Sequence, residues 1–155
     1  MHQKSASIYL RSGNLYISPL SLVAPNGPWV RFGSPYVINT DSSVEEIGIS
    51  ILEALDKSQL IKLPENFDLS ENDALLYSVA AVKSWSAFEK PDTKYVSVTR
   101  YDDGRIQCVP SWNRYLKEGR GRGFLHFGPE KYVTIFSSSP KDVGEAVLES
   151  LKRSE

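Results

Sequence analysis

Apolar and polar residues alternate from Ser5 to Leu20, "SASIYLRSGNLYISPL", with one break at Ser-Gly-Asn. A period of two interrupted by a glycine reads as two strands joined in a hairpin, with Ile8, Leu10, Leu15 and Ile17 on the buried face. The pattern returns in "KYVSVTRYDDGRIQCVP", which begins at Lys94; superposing Gly104 on Gly13 also brings Pro110 onto Pro19.

After each hairpin the period changes to that of a helix. In "YVINTDSSVEEIGISILEALDKS", from Tyr36 to Ser58, Val44, Ile47, Ile51 and Leu55 fall at steps of three and four residues, which gathers them on one helix face. Ser43 followed by Glu46 is the start signal of a capping box. In "YVTIFSSSPKDVGEAVLESLKRS", from Tyr132 to Ser154, Val143, Val147 and Leu151 repeat the face, and Ser139, Pro140 and Asp142 repeat the start. Aligned without a gap, the two segments share nine of 23 residues. Each also carries a glycine, Gly48 and Gly144, at a helix position where glycine costs roughly 1 kcal/mol against alanine. Its recurrence predicts a close backbone approach there, expected against the sheet. No Gly-rich loop precedes either helix, which argues against phosphate binding.

These echoes divide a single domain, 1–155, into a first repeat at about 5–58, an unduplicated helical insert at about 59–93 and a second repeat at about 94–154. In the insert, Ala74, Leu75, Val79 and Val82 predict an amphipathic helix from Ser70, and "SWSAFEK" a short helix capped by Ser84. The connections "VAPNGPWVRFGSP" and "SWNRYLKEGRGRGFLHFGP" are rich in glycine and aromatic residues and read as loops carrying one more strand each. The expected fold is α+β, a largely antiparallel sheet with helices packed on it and an internal pseudo-duplication of hairpin, strand and helix.

Composition sets the limits of function. At 155 residues, 41% hydrophobic, the chain is long enough to bury a continuous core, and its net charge of −1 gives no global attraction to nucleic acid. The one cysteine, Cys108, allows no intramolecular disulfide and fits a reducing compartment. No apolar stretch has the length of a signal peptide core or of a membrane span, so the chain reads as cytoplasmic, without a membrane partner.

Catalytic chemistry has little to stand on. His2 sits at the terminus and His126 in an apolar-aromatic run, with no orienting acid or nucleophile indicated. Cys108 lies inside a predicted strand, where a buried inert thiol is expected. Asp102 and Asp103 precede Gly104 in a turn, which favours aspartate for backbone reasons. One cysteine and one histidine make no metal site. The expectation is a protein that is not an enzyme, with no metal and no cofactor.

Charge placement says more. From Asp41 to Asp73 nine acids face two lysines, a local net charge of −7, whereas Arg100 to Arg122 holds six bases against three acids, with Trp112 and Tyr115 between them. Some of the acids serve the helix dipole or plain solvation. The sharper reading makes the acidic segment a docking surface for a basic partner, through Glu65, Asp68, Glu71 and Asp73, with Asp102, Asp103, Trp112, Arg120 and Arg122 next in line. The alternative is an RNA-binding accessory module that tracks phosphates with the Arg114 to Arg122 loop.

The order of "SASIYLRSGNLYISP", "DSSVEEIGISILEAL", "VKSWSAFEK" and "KYVSVTRYDDGRIQCVP" resembles the immunity proteins of contact-dependent growth inhibition, the CdiI family, in its proteobacterial group once catalogued as a domain of unknown function. The resemblance covers most of the chain and carries no catalytic signature. It implies a cytoplasmic antidote that binds the toxic C-terminal domain of a cognate exoprotein, expected to be a nuclease, and covers its active site, with no direct nucleic-acid binding of its own. The family lends no residue set, because cognate pairs diverge where they meet.

Overall fold

The structure is a computed structural model that describes residues 3–115 and 122–155. Its elements run β1 (Lys4–Arg11), β2 (Asn14–Val23), β3 (Trp29–Arg31), β4 (Tyr36–Asn39), α1 (Val44–Lys57), β5 (Leu60–Ile61), α2 (Leu69–Val79), α3 (Trp85–Phe88), β6 (Lys94–Arg100), β7 (Ile106–Tyr115), β8 (Arg122–His126), β9 (Val133–Ile135) and α4 (Pro140–Arg153). The fold is α+β. One sheet has the order β3-β2-β1-β6-β7-β8, antiparallel except where the short β5 runs parallel to β2.

The hairpins form because their turns suit glycine. Gly13 has φ +77° in the β1–β2 turn and Gly104 φ +85° in the β6–β7 turn, a region open to glycine at no steric cost. β1 and β6 meet at the centre of the sheet, with Ser5 opposite Thr99, Ser7 opposite Ser97 and Tyr9 opposite Tyr95. β3 pairs with Leu20–Leu22 of β2 and β4 with Asn14–Ile17; in the other half β8 pairs with Ser111–Tyr115 of β7 and β9 with Ile106–Cys108. The first glycine-rich connection thus holds one strand, β3; the second begins with the last five residues of β7, Ser111–Tyr115, which the sequence pattern places in the loop, and then holds β8, with 116–121 outside the described residues.

One face of the sheet is covered by α1 and α4. Ala6, Ile8, Leu15, Ile17, Val96, Val98, Ile106 and Cys108 pack there with Ile47, Ile51, Leu55, Val143, Val147 and Leu151, all buried. Leu10 is partly buried against the same cluster. Both helices start as their sequences specify: Ser43 and Glu46 close a reciprocal capping box, and the Ser139 side chain accepts from the Asp142 N–H with Pro140 at the first turn.

The two helical glycines do mark a close approach, but to the other helix and not to the sheet. A Cβ built on Gly48 would lie 2.5 Å from the Pro140 carbonyl carbon, and one on Gly144 would lie 3.0 Å from the Val44 carbonyl carbon. Each helix sets its glycine against the first turn of its neighbour. Two helix backbones can come this near only where neither carries a side chain.

The opposite face carries a second cluster. Tyr9, Tyr16 and Phe88 are buried with Leu76 and Ala80, and Val82, Trp85, Tyr95 and Phe124 pack around them. The Tyr9 ring stacks on Tyr95 at 4.8 Å and meets Phe88 edge-on at 5.2 Å. Here the apolar face expected for the insert helix is corrected. Leu76 and Ala80 point inward, whereas Leu75 and Val79 are 40% and 42% exposed and Val82 lies beyond the helix end. The inward side meets an aromatic patch that the hairpin alternation had assigned to the outer surface, so the helix turned toward apolar residues that did not count as core.

Candidate functional site

Beside the aromatic cluster, the same sheet face becomes polar. Ser5 and Ser7 of β1 alternate with the core residues Ala6 and Ile8, and Ser97 and Thr99 of β6 stand opposite them, so four hydroxyls share one floor. The Ser5 and Thr99 hydroxyls are 3.1 Å apart in a hydrogen bond, and the buried Ser7 Oγ has no hydrogen-bond partner. One wall is built by β3 and α2, the other by His126 of β8. The result is a cavity of about 470 Å³ lined by Gln3, the four hydroxyl residues, Tyr9, Tyr95, Trp29, Arg31, Asp73 and His126 among others.

Arg31 organises the first wall. Its guanidinium donates to the Tyr9 hydroxyl at 3.2 Å and pairs with the Asp73 carboxylate, tying β3 and α2 to the floor. Burial works against its charge, but the neighbouring Tyr9 and Asp73 outweigh that and hold its pKa above the usual range. Burial raises the Tyr9 pKa strongly, so the phenol stays protonated. On the far wall His126 shares a hydrogen bond with Ser111 Oγ through Nδ1 at 3.1 Å, and desolvation lowers its pKa, which leaves it neutral at pH 7. Arg31 and Asp73 cancel, so the cavity has hydrogen-bonding capacity without net charge.

The residues singled out in the sequence fall on separate elements. Glu65 is exposed in the connection before α2, Asp68 caps that helix by accepting from the Ser70 N–H at 2.9 Å, and Glu71 lies exposed in its first turn. The Ser70 bonds lower the Asp68 pKa. Asp73 is committed to Arg31, so it adds less free charge to the acidic segment than the sequence suggested. Asp102 and Asp103 occupy the β6–β7 turn, where the Asp103 carboxylate accepts from the Arg105 N–H at 3.0 Å. Trp112 of β7 donates from Nε1 to the Glu155 carboxylate at 2.7 Å and meets the Phe127 ring at 4.4 Å. Arg120 lies outside the described residues; Arg122 begins β8. Among the described residues no side-chain hydrogen bond or ion pair links these groups to one another; the Glu71 N–H donates to the Asp68 carbonyl at the start of α2, the one helix that gathers several of them.

No protein-family model matches the chain, and no curated protein matches its sequence. Solved structures do match its fold. A protein of unknown function from Neisseria meningitidis is 17% identical over 99% of this chain and 96% of its own, with a TM-score of 0.75. A chain of the CdiA-CT/CdiI toxin and immunity complex from Yersinia pseudotuberculosis is 16% identical over 100% of this chain and 99% of its own, also with a TM-score of 0.75. The fold is shared over the whole chain. The likeness read from the sequence is therefore met at the level of the fold, in a solved toxin and immunity complex.

The cavity was missed by sequence reasoning, although a signal existed. A strand face turned to water usually shows charged residues, whereas this one shows Ser5, Ser7, Tyr9 on β1 and Tyr95, Ser97, Thr99 on β6. Small hydroxyls beside buried tyrosines mark a face that is covered, not solvated. Among the described residues no group of three His, Cys, Asp or Glu side chains could hold a metal, and no helix is long and apolar enough to cross a membrane. Cys108 is buried under α4, and burial pushes its thiol up to about 12, which keeps it protonated and unreactive.

Proposed function

We propose that this chain is an immunity protein: it binds the toxin domain of a cognate contact-dependent growth inhibition exoprotein in the cytoplasm and blocks its active site by occupancy, without catalysis. The observation that carries the reading is the whole-length fold match to a chain of a toxin and immunity complex. Steric exclusion asks for shape and charge complementarity and not for an activated nucleophile, which agrees with an inert Cys108 and a neutral His126.

The toxin-facing surface in this proposal is α2 with the β3 edge of the sheet beside it. It exposes Phe32, Leu75 and Val79, and the Phe32 ring lies 6.3 Å from Phe67. Glu65, Asp68 and Glu71 are exposed on α2 and in the connection that leads into it. An apolar centre with a charged rim is the usual anatomy of a specific interface. The acids are the reason to propose a nuclease as the toxin, because a nuclease cleft is basic where it holds phosphate. Asp73 acts indirectly here, by holding α2 in place through Arg31. The Asp102–Asp103 turn and Trp112 serve as secondary candidates.

The test is co-expression with the product of the adjacent upstream reading frame. The expected result is a complex that co-purifies and a cell that survives toxin production. A folded chain that neither binds nor protects against that product would overturn the reading.

A further inference from the structure

We propose that the cavity over Ser5, Ser7, Ser97 and Thr99 is a binding site for an uncharged nucleobase presented as a free nucleoside. This inference is independent of the immunity reading and would stand or fall without it. Four features carry it. The cavity, about 470 Å³, falls in the size range of small-molecule sites. Its lining is aromatic at several points, with Trp29, Tyr95 and His126 around it, although the Tyr95 ring is already stacked on Tyr9 at 4.8 Å. Its floor offers hydroxyls that both donate and accept, which suits the mixed edges of a base and the hydroxyls of a ribose. Its wall holds a fixed donor–acceptor pair: Arg31 is locked between Tyr9 and Asp73, and its buried Nε, like the buried Ser7 Oγ, has no hydrogen-bond partner.

Charge selects among ligands. A phosphate or carboxylate would enter a cavity whose one guanidinium is already neutralised by Asp73 and whose histidine is uncharged, so it would lose its hydration for no compensating ion pair. The helix that supplies Asp73 also carries Asp68 at its N-cap and Glu71 in its first turn, and their charge disfavours an anion on that side. A base carried on an RNA strand brings phosphates to the same place. The free nucleoside therefore fits better than either a nucleotide or a single strand.

Amide-resolved NMR titration of the full chain with adenosine, uridine, their 5′-monophosphates and a short single-stranded RNA tests this directly. The expected result is a saturable shift at Ser7, Ser97, Thr99 and His126 with at least one nucleoside, and binding of the matching monophosphate weaker by about tenfold. Thr99→Val and Ser97→Ala should each weaken the nucleoside by about fivefold while leaving the rest of the spectrum unchanged. His126→Phe, which keeps a planar wall, should weaken it less than His126→Ala. Absence of a saturable shift with both nucleosides would overturn the site. Equal or tighter binding of the monophosphate or the RNA would overturn the choice of a neutral ligand, and a shift that survives both floor variants unchanged would place the ligand elsewhere. Toxin protection is scored separately, so failure here leaves the immunity reading measurable on its own.

Discussion

Alanine in place of Gly48 should destabilise the fold, although in an open helix the same change would add about 1 kcal/mol. The added Cβ would sit 2.5 Å from the Pro140 carbonyl carbon and 2.9 Å from its Cα, where ordinary contact begins at 3.4 Å. The obstacle is backbone in the first turn of α4, so no rotamer change can relieve it, and the helices must separate by about 1 Å at their crossing. Overpacking costs about 1–3 kcal/mol, and a clash with backbone belongs at the upper end, about 3; less the propensity gain of about 1 kcal/mol, a net loss of about 2 kcal/mol is the expected outcome. In urea that is a fall in the midpoint of roughly 1 M at unchanged slope. Gly144→Ala should behave alike, because its Cβ meets Val44 of α1 at 2.9 Å and 3.0 Å. The double variant should lose less than the sum, since helices already forced apart leave room for the second methyl. A Gly48→Ala protein as stable as the parent would refute the close-crossing argument, and strictly additive losses would refute the shared cause.

Three further outcomes follow from the same geometry. Asp73→Asn should loosen α2 by weakening its ion pair with Arg31, a cost of about 1–2 kcal/mol because the Asp73 side chain is 37% exposed; faster proteolysis within 62–82 is the readout, and unchanged cleavage would show that Leu76 and Ala80 suffice. Cys108 should resist thiol reagents in the native state at pH 8 and react only after unfolding. Its folded pKa is raised to about 12 from a value near 9, so the folded chain binds the extra proton and stability should fall as pH rises above about 9, with Tyr9 and Tyr95 adding to the fall above about 10; a flat profile there, or one unchanged by Cys108→Ala below pH 10, would contradict this. His126→Ala should keep toxin protection, and its loss in a folded, toxin-binding variant would reopen a catalytic role.

Much of the framework was legible because its signals are local. The β1–β2 hairpin needs only a period of two and Gly13, and the helix starts at Ser43 and Ser139 need only cap residues within one turn. The second layer depends on which elements meet across the sheet. Tyr9 and Tyr16 occupy positions that alternation gives to solvent, and only the arrival of Phe88, Trp85 and Leu76 from the insert makes them core. For the same reason α2 shows its buried side at Leu76 and Ala80, which no helix periodicity within the insert could single out over Leu75 and Val79. The acidic segment was legible as charge, but its internal bookkeeping was not: Asp56 pairs with Arg100 and Asp73 with Arg31, partners 44 and 42 residues away. We propose that the two hairpin–strand–helix units descend from one by duplication. The shared nine of 23 residues and the reciprocal glycine contacts support that history.

Binding kinetics between this chain and the purified C-terminal domain of the adjacent upstream reading frame's product, the proposed toxin, test the central claim most directly. The account predicts a one-to-one complex that abolishes the toxin's activity, with an association rate that falls as salt rises because the free acids Glu65, Asp68 and Glu71 steer the encounter. Charge reversal at Glu65, Asp68 and Glu71 together with Asp73→Asn should slow association strongly, and the apolar change Leu75→Ser should chiefly speed dissociation. A folded chain that leaves the toxin active, or one whose rates are untouched by all of these changes, would contradict it.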